Sequence, residues 1–185
     1  MAKKIEFNRK KPGADRIHYV SEEDVLTVLN RLPQHLWEGL REIHFNDQSK
    51  GGRTLGYSGH QRRKSYEISI CALPPRYSIS ELLLRKKSPS IFGAKRGKQW
   101  PKIAIRRFIL YDVLLHEIGH NQIIDPKAKS VRRKYAQERK SDDFAAFWRK
   151  KLWSSHFDHP DPVHNPPSKE ELESLHKEEE NNPPN

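Results

Sequence analysis

Apolar residues recur at helical spacing over several stretches of the chain. Val25, Leu26, Val28 and Leu29 follow Ser21 and the acids Glu22, Glu23 and Asp24, a pattern that predicts an N-capped helix whose acidic first turn suits the macrodipole. Pro33 ends it, and Leu36, Trp37 and Leu40 predict a further turn before a strand at about 42–45. Strict alternation in Tyr66-Glu67-Ile68-Ser69-Ile70-Cys71, after Thr54-Leu55-Gly56-Tyr57 and a polar turn, predicts a hairpin with one buried face. The long basic connection of about 72–101, opened by Pro74 and Pro75, is expected to hold a short helix around 80–84 or to cover a cleft.

Farther on, Ile105, Phe108, Ile109, Val113, Leu114, Leu115 and Ile118 predict a mostly buried helix over about 103–123, ended by Asp125-Pro126. A second helix is predicted over about 129–153, with Val131, Tyr135, Phe144, Ala145, Trp148 and Leu152 facing inward. The ends lack such periodicity. Residues 1–16 read as a flexible basic arm, with structure beginning near Ile17, and 158–185 as an acidic Pro- and Glu-rich tail, disordered or draped over the surface. A single domain over 17–157 remains.

Composition narrows the classes. One cysteine in 185 residues excludes an internal disulfide and a Cys-rich zinc site, so Cys71 reads as a buried thiol. No run of ~18 apolar residues is present and the N-terminus has no signal-peptide core, so a cytoplasmic protein with no membrane association is expected. The net charge is +11, but residues 156–185 carry two lysines against eight acids, which leaves +17 on residues 1–155. Such a body attracts nucleic acid nonspecifically. Basic runs at 62–64, 85–87, 95–98 and 132–134 would contact phosphate if they converge, and no one of them is singled out as an interface.

The chemistry concentrates in His116-Glu117-Ile118-Gly119-His120. Histidines at i and i+4 of a helix project to one side and can share a metal, with Glu117 beside them as a base; two imidazoles and a carboxylate suit Zn2+. With ten histidines in the chain the pattern arises by chance with a probability of ~0.04. A catalytic zinc site needs a third protein ligand. Glu138, early in the next predicted helix, comes opposite the histidines if that helix folds back antiparallel, and Asp142, one turn later, could accept the second ring N–H of either histidine. A third His six residues after His120 is excluded because that position is Pro126, while His156, His159 and His164 could reach the site from the tail. Tyr111, Tyr135, Tyr57 or a tail histidine are the candidate oxyanion donors.

Leu115-His116-Glu117-Ile118-Gly119-His120, followed by Glu138-Arg139-Lys140-Ser141-Asp142-Asp143-Phe144-Ala145-Ala146, resembles the gluzincin pattern and is similar to the ImmA/IrrE-like metallopeptidases. Arg53-Thr54-Leu55-Gly56-Tyr57 and Arg107-Phe108 look like that family's lead-in to its site. The resemblance implies a compact α+β zincin-like domain: a small, mostly antiparallel twisted sheet packed on the active-site helix and on a following antiparallel helix, with the edge strand pairing with an extended substrate. It implies His116, His120 and Glu138 as metal ligands and Glu117 as the catalytic base. The expected activity is zinc-dependent endopeptidase cleavage of a protein or peptide substrate, extended by the basic body to a protein associated with DNA. The alternative from another class is a noncatalytic zinc-stabilised module that binds nucleic acid or protein, its fourth ligand supplied by His156, His159 or Cys71.

Overall fold

Ser21 starts the first helix as its spacing predicts. In the computed structural model, which describes residues 5–47, 55–60, 65–85, 87–123, 130–154 and 158–181, the Ser21 hydroxyl accepts from the Asp24 N–H and the Asp24 carboxylate accepts from the Ser21 N–H, a reciprocal cap on α1 (Glu22–Arg31). Val25, Val28 and Leu29 are buried on its inner face. Upstream of it, β1 (Glu6–Arg9) lies where a flexible arm is expected, so order begins well before Ile17. Backbone bonds from Ile43 and its neighbours explain this: β1 pairs in parallel with β2 (Leu40–Asn46), and the Gly13 N–H donates to Asp47 beyond it.

The strands β3 (Gly56–His60) and β4 (Tyr66–Cys71) form the predicted hairpin, and β4 inserts beside β2, giving the order β1-β2-β4-β3. The sheet is mixed and not mostly antiparallel: β1–β2 and β2–β4 are parallel, and only β3–β4 is antiparallel. The physical reason is the α1 crossover between β1 and β2, which returns the chain in the same direction. Ile43, Phe45, Ile68 and Ile70 bury one face. Cys71 is buried, which pushes its thiol up to about 11.

The connection after the sheet holds the expected short helix, α2 (Glu81–Leu84), which ends on Arg85 in the left-handed region at φ 49°. The long buried helix is three segments in line: α3 (Lys102–Phe108), a π-helical turn at Ile109–Val113, and α4 (Leu114–Ile123). Its residues Ile105, Phe108, Leu110, Leu114, Leu115 and Ile118 fill the centre of the core. Then α5 (Val131–Ser154) packs on α4 and buries Ser141, Ala145, Arg149 and Leu152. Tyr135, expected to face inward, is 72% exposed, because the buried stripe of α5 runs through 141, 145, 149 and 152 and leaves Tyr135 outside it. The helix-ending Asp125-Pro126 and the run at 62–64 lie outside the described residues.

The acidic tail is also folded. Asp161 caps a single turn at Pro162–His164, Val163 and His164 are buried, and α6 (Lys169–Asn181) starts with a reciprocal Ser168–Glu171 cap. Arg107, wholly buried, donates to both carboxylate oxygens of Glu171 at 3.0 and 3.1 Å and to the carbonyls of Asn165 and Pro162. A buried guanidinium needs all these acceptors, and the tail supplies most of them, which is why a polar segment without a core of its own stays docked. No helix among the described residues is long and apolar enough to cross a membrane.

Candidate metal centre

Helix α4 carries His116 and His120 one turn apart, their rings nearly perpendicular with centroids 4.5 Å apart. From α5, Glu138 reaches across: its Oε2 lies 3.3 Å from Nε2 of His116 and its Oε1 3.4 Å from Nε2 of His120. Two ligand atoms each about 2.1 Å from a tetrahedral ion stand ~3.4 Å apart, a value close to both of these separations. The outer nitrogens are held as such a site requires. Nδ1 of His116 lies 3.0 Å from the Asp142 carboxylate and Nδ1 of His120 lies 3.1 Å from the Ser141 hydroxyl, partners that orient the two rings. The group here whose ligand atoms all lie within 4.8 Å of one another is His116, Glu117 and His120, with Glu117 and not Glu138 as its carboxylate.

Glu117 points to the sheet side of the cleft, where the Ser58 hydroxyl hydrogen-bonds its carboxylate; burial raises its pKa above the usual carboxylate range. β3 can come this close because position 56 is glycine: a Cβ there would meet Val113 at 2.6 Å. Burial opposes protonation of His116, yet its hydrogen bonds to Asp142 and Glu138 outweigh burial and raise its pKa; burial and the neighbouring His116 lower that of His120. Asp142 and Glu138 both stay below the carboxylate range, Asp142 because hydrogen bonds from His116 and Arg85 overcome its burial, Glu138 chiefly through its bond to His116.

The cleft is a cavity of about 430 Å3 lined by Gly56, Tyr57, Ser58, Leu83, Arg85, Asp112, Val113 and Gln137 in addition to His116, Glu117, His120 and Glu138. Arg85 is the residue that sequence reasoning missed. Its guanidinium bonds the Asp142 carboxylate, lies 4.0 Å from Glu138 and reaches the His116 ring at 2.6 Å from Nδ1 and 3.0 Å from Nε2, so it supplies positive charge beside the two histidines. Lys87 and Arg149 also close the network by pairing with buried Asp112 at 3.0 and 2.7 Å. Nothing in the local pattern marks Arg85, since it belongs to a basic run on a different element.

Of the candidate oxyanion donors, Tyr111 is buried away from the cleft, where its hydroxyl meets Arg31 and His164, and burial pushes it up to about 12. Tyr135 is exposed and does not line the cleft; Tyr57 does. His164 meets Tyr111 edge-on and His159 meets His164 edge-on, so neither tail histidine reaches the site, and Cys71 does not line it. His156 and Arg53-Thr54 lie outside the described residues. No family model matches the chain, and neither a curated protein nor a solved structure matches it.

Proposed function

We propose that the chain is a zinc-dependent endopeptidase in which His116, His120 and Glu138 hold the ion and Glu117 is the general base. The observation that carries this reading is the meeting of both Nε2 atoms with the two oxygens of one carboxylate from the next helix, beside a buried second carboxylate in an open cleft. A bound zinc ion supplies a Lewis acid that acidifies water and polarises a carbonyl. Glu117 takes the proton of the attacking water and returns it to the leaving amine; its raised pKa favours that return. Asp142 and Ser141 orient the two imidazoles. The terminal strand β3 runs along the cleft, so an extended peptide can add to it as a further strand, with its scissile carbonyl toward Glu117.

Metal content per chain in wild type, Glu138→Ala and Glu117→Gln tests the assignment. The expected result is one ion fewer in Glu138→Ala alone, with Glu117→Gln loaded but inactive on peptides. Equal loading of wild type and Glu138→Ala overturns the ligand assignment. The net charge of +17 on residues 1–155 extends the substrate class to proteins associated with DNA. Absence of DNA binding at ~50 mM salt, where nonspecific phosphate contacts are strong, overturns that extension.

A metal-free binding module is a reading distinct from the zinc-stabilised one, and one feature favours it: the Arg85 guanidinium set against Glu138 and Asp142 balances their charge without an ion. Under that metal-free reading no variant at this centre changes metal content, because no ion is bound there.

A further inference from the structure

We propose a second divalent-metal site, built by Glu42, His44 and Glu67 on the face of the sheet opposite Ile43 and Phe45. Glu42 and His44 are two apart on β2 and therefore share a face, and Glu67 of β4 stands in register beside Glu42. Nε2 of His44 lies 3.2 Å from Oε2 of Glu42 and 3.5 Å from Oε2 of Glu67. These are close to the ~3.0–3.4 Å separations of ligands at right or tetrahedral angles around an ion with ~2.1 Å bonds, and the ligand atoms of all three residues lie within 4.8 Å of one another. The His44 nitrogen is shielded from solvent and has no hydrogen-bond partner among the described residues, although two carboxylates flank it. A protonated imidazole would aim its N–H at one of those oxygens. Here the three groups converge without that alignment, as electron-pair donors do around a cation.

The surrounding charge supports the same assignment. Glu6, Glu42 and Glu67 stand in one cross-strand row on β1, β2 and β4, so carboxylates gather on this face of the sheet. The row ends at Gly59 of β3, where a Cβ would come within 2.9 Å of Oε1 of Glu67; glycine there leaves room for the carboxylate to lie over the neighbouring strand. Asn8 Nδ2 is 3.3 Å from Oε2 of Glu42 and steadies it. One imidazole and two carboxylates, all partly open to solvent, suit zinc or a similar transition-metal ion with water completing the shell. Such an ion ties β2 to β4 and shares no ligand with the centre on α4.

The test is equilibrium dialysis of the full chain against micromolar Zn2+, with metal per chain read by mass spectrometry, for wild type, His44→Ala, Glu67→Gln and His120→Ala. The expected result is one ion fewer in His44→Ala and in Glu67→Gln than in wild type, and additive loss in a His44→Ala/His120→Ala double variant. Glu67→Gln keeps the side-chain shape, so its loss of metal does not depend on altered packing. Unchanged loading in both His44→Ala and Glu67→Gln overturns the site and leaves an ion pair in its place. Failure of the α4 centre has a separate signature, unchanged loading in His120→Ala.

Discussion

A side-chain carbon on Gly119 would lie 3.1 Å from Cδ1 and 3.2 Å from Cβ of Phe144, so the glycine between the two histidines sets how closely α4 and α5 approach. That approach is what brings Glu138 within 3.3 and 3.4 Å of the imidazoles. Alanine at 119 gains up to ~1 kcal/mol of helix propensity, but it meets the Cβ end of Phe144, which cannot swing away. Gly119→Ala is expected to lower stability by about 1–3 kcal/mol through overpacking and to weaken zinc binding at least tenfold as the ligands separate. Thermal unfolding of the metal-free protein and chelator competition measure the two effects; a raised melting temperature with unchanged zinc affinity would show slack between the helices.

Arg85 is expected to compete with the metal. Its guanidinium sits 4.0 Å from Glu138 and bonds Asp142, so an ion entering the site meets a like charge at close range. Arg85→Met should tighten zinc binding about tenfold or more, measured by competition with a chromophoric chelator. Weaker binding in the variant would make Arg85 a support for Asp142 instead.

The acidic tail is expected to stabilise the body. Arg107→Met removes the donor that holds the half-buried Glu171 and the carbonyls of Asn165 and Pro162, and leaving those acceptors unpaired costs about 1–3 kcal/mol. Deleting 158–185 should lower the unfolding free energy by a similar margin, because it strips Arg107 of these partners and uncovers Tyr111. Equal stability of the full and truncated chains in denaturant titrations would rule out this docking.

Asp24 gives the fold a pH dependence at the acid end. Burial opposes its ionisation, but hydrogen bonds from His164 and the Ser21 backbone, with Arg106 at 2.9 Å, hold its pKa down to about 2. A carboxylate depressed on folding stabilises the native state above its unfolded pKa, near 4, and loses that contribution as the pH falls toward 2. Asp24→Asn should therefore cost about 2 kcal/mol at pH 7, and the gap from wild type should shrink between pH 4 and pH 2. A gap independent of pH in urea melts at several pH values would assign the loss to the helix cap alone.

Local pattern determined much of this protein. The 3.6-residue period marked α1, the α3–α4 helix and α5, the alternation at 66–71 marked the β3–β4 hairpin, and the i, i+4 spacing placed His116 and His120 on one side of a helix. These features depend on neighbours within a few residues, so they can be read along the chain. Glu138 was legible as a candidate, but only packing across Gly119 decided that it meets both histidines.

Other features had no local signal strong enough to read. The parallel pairing of β1 depends on backbone partners on β2, more than thirty residues away, and a short polar strand looks like an arm until they are present. Arg85 enters the cleft from α2's end, and the docking of the tail depends on Arg107, a buried cation whose acceptors lie over fifty residues on. Tertiary structure decided these cases because a buried charge is stable only beside its partner, and which groups become partners is settled by how the helices and strands pack.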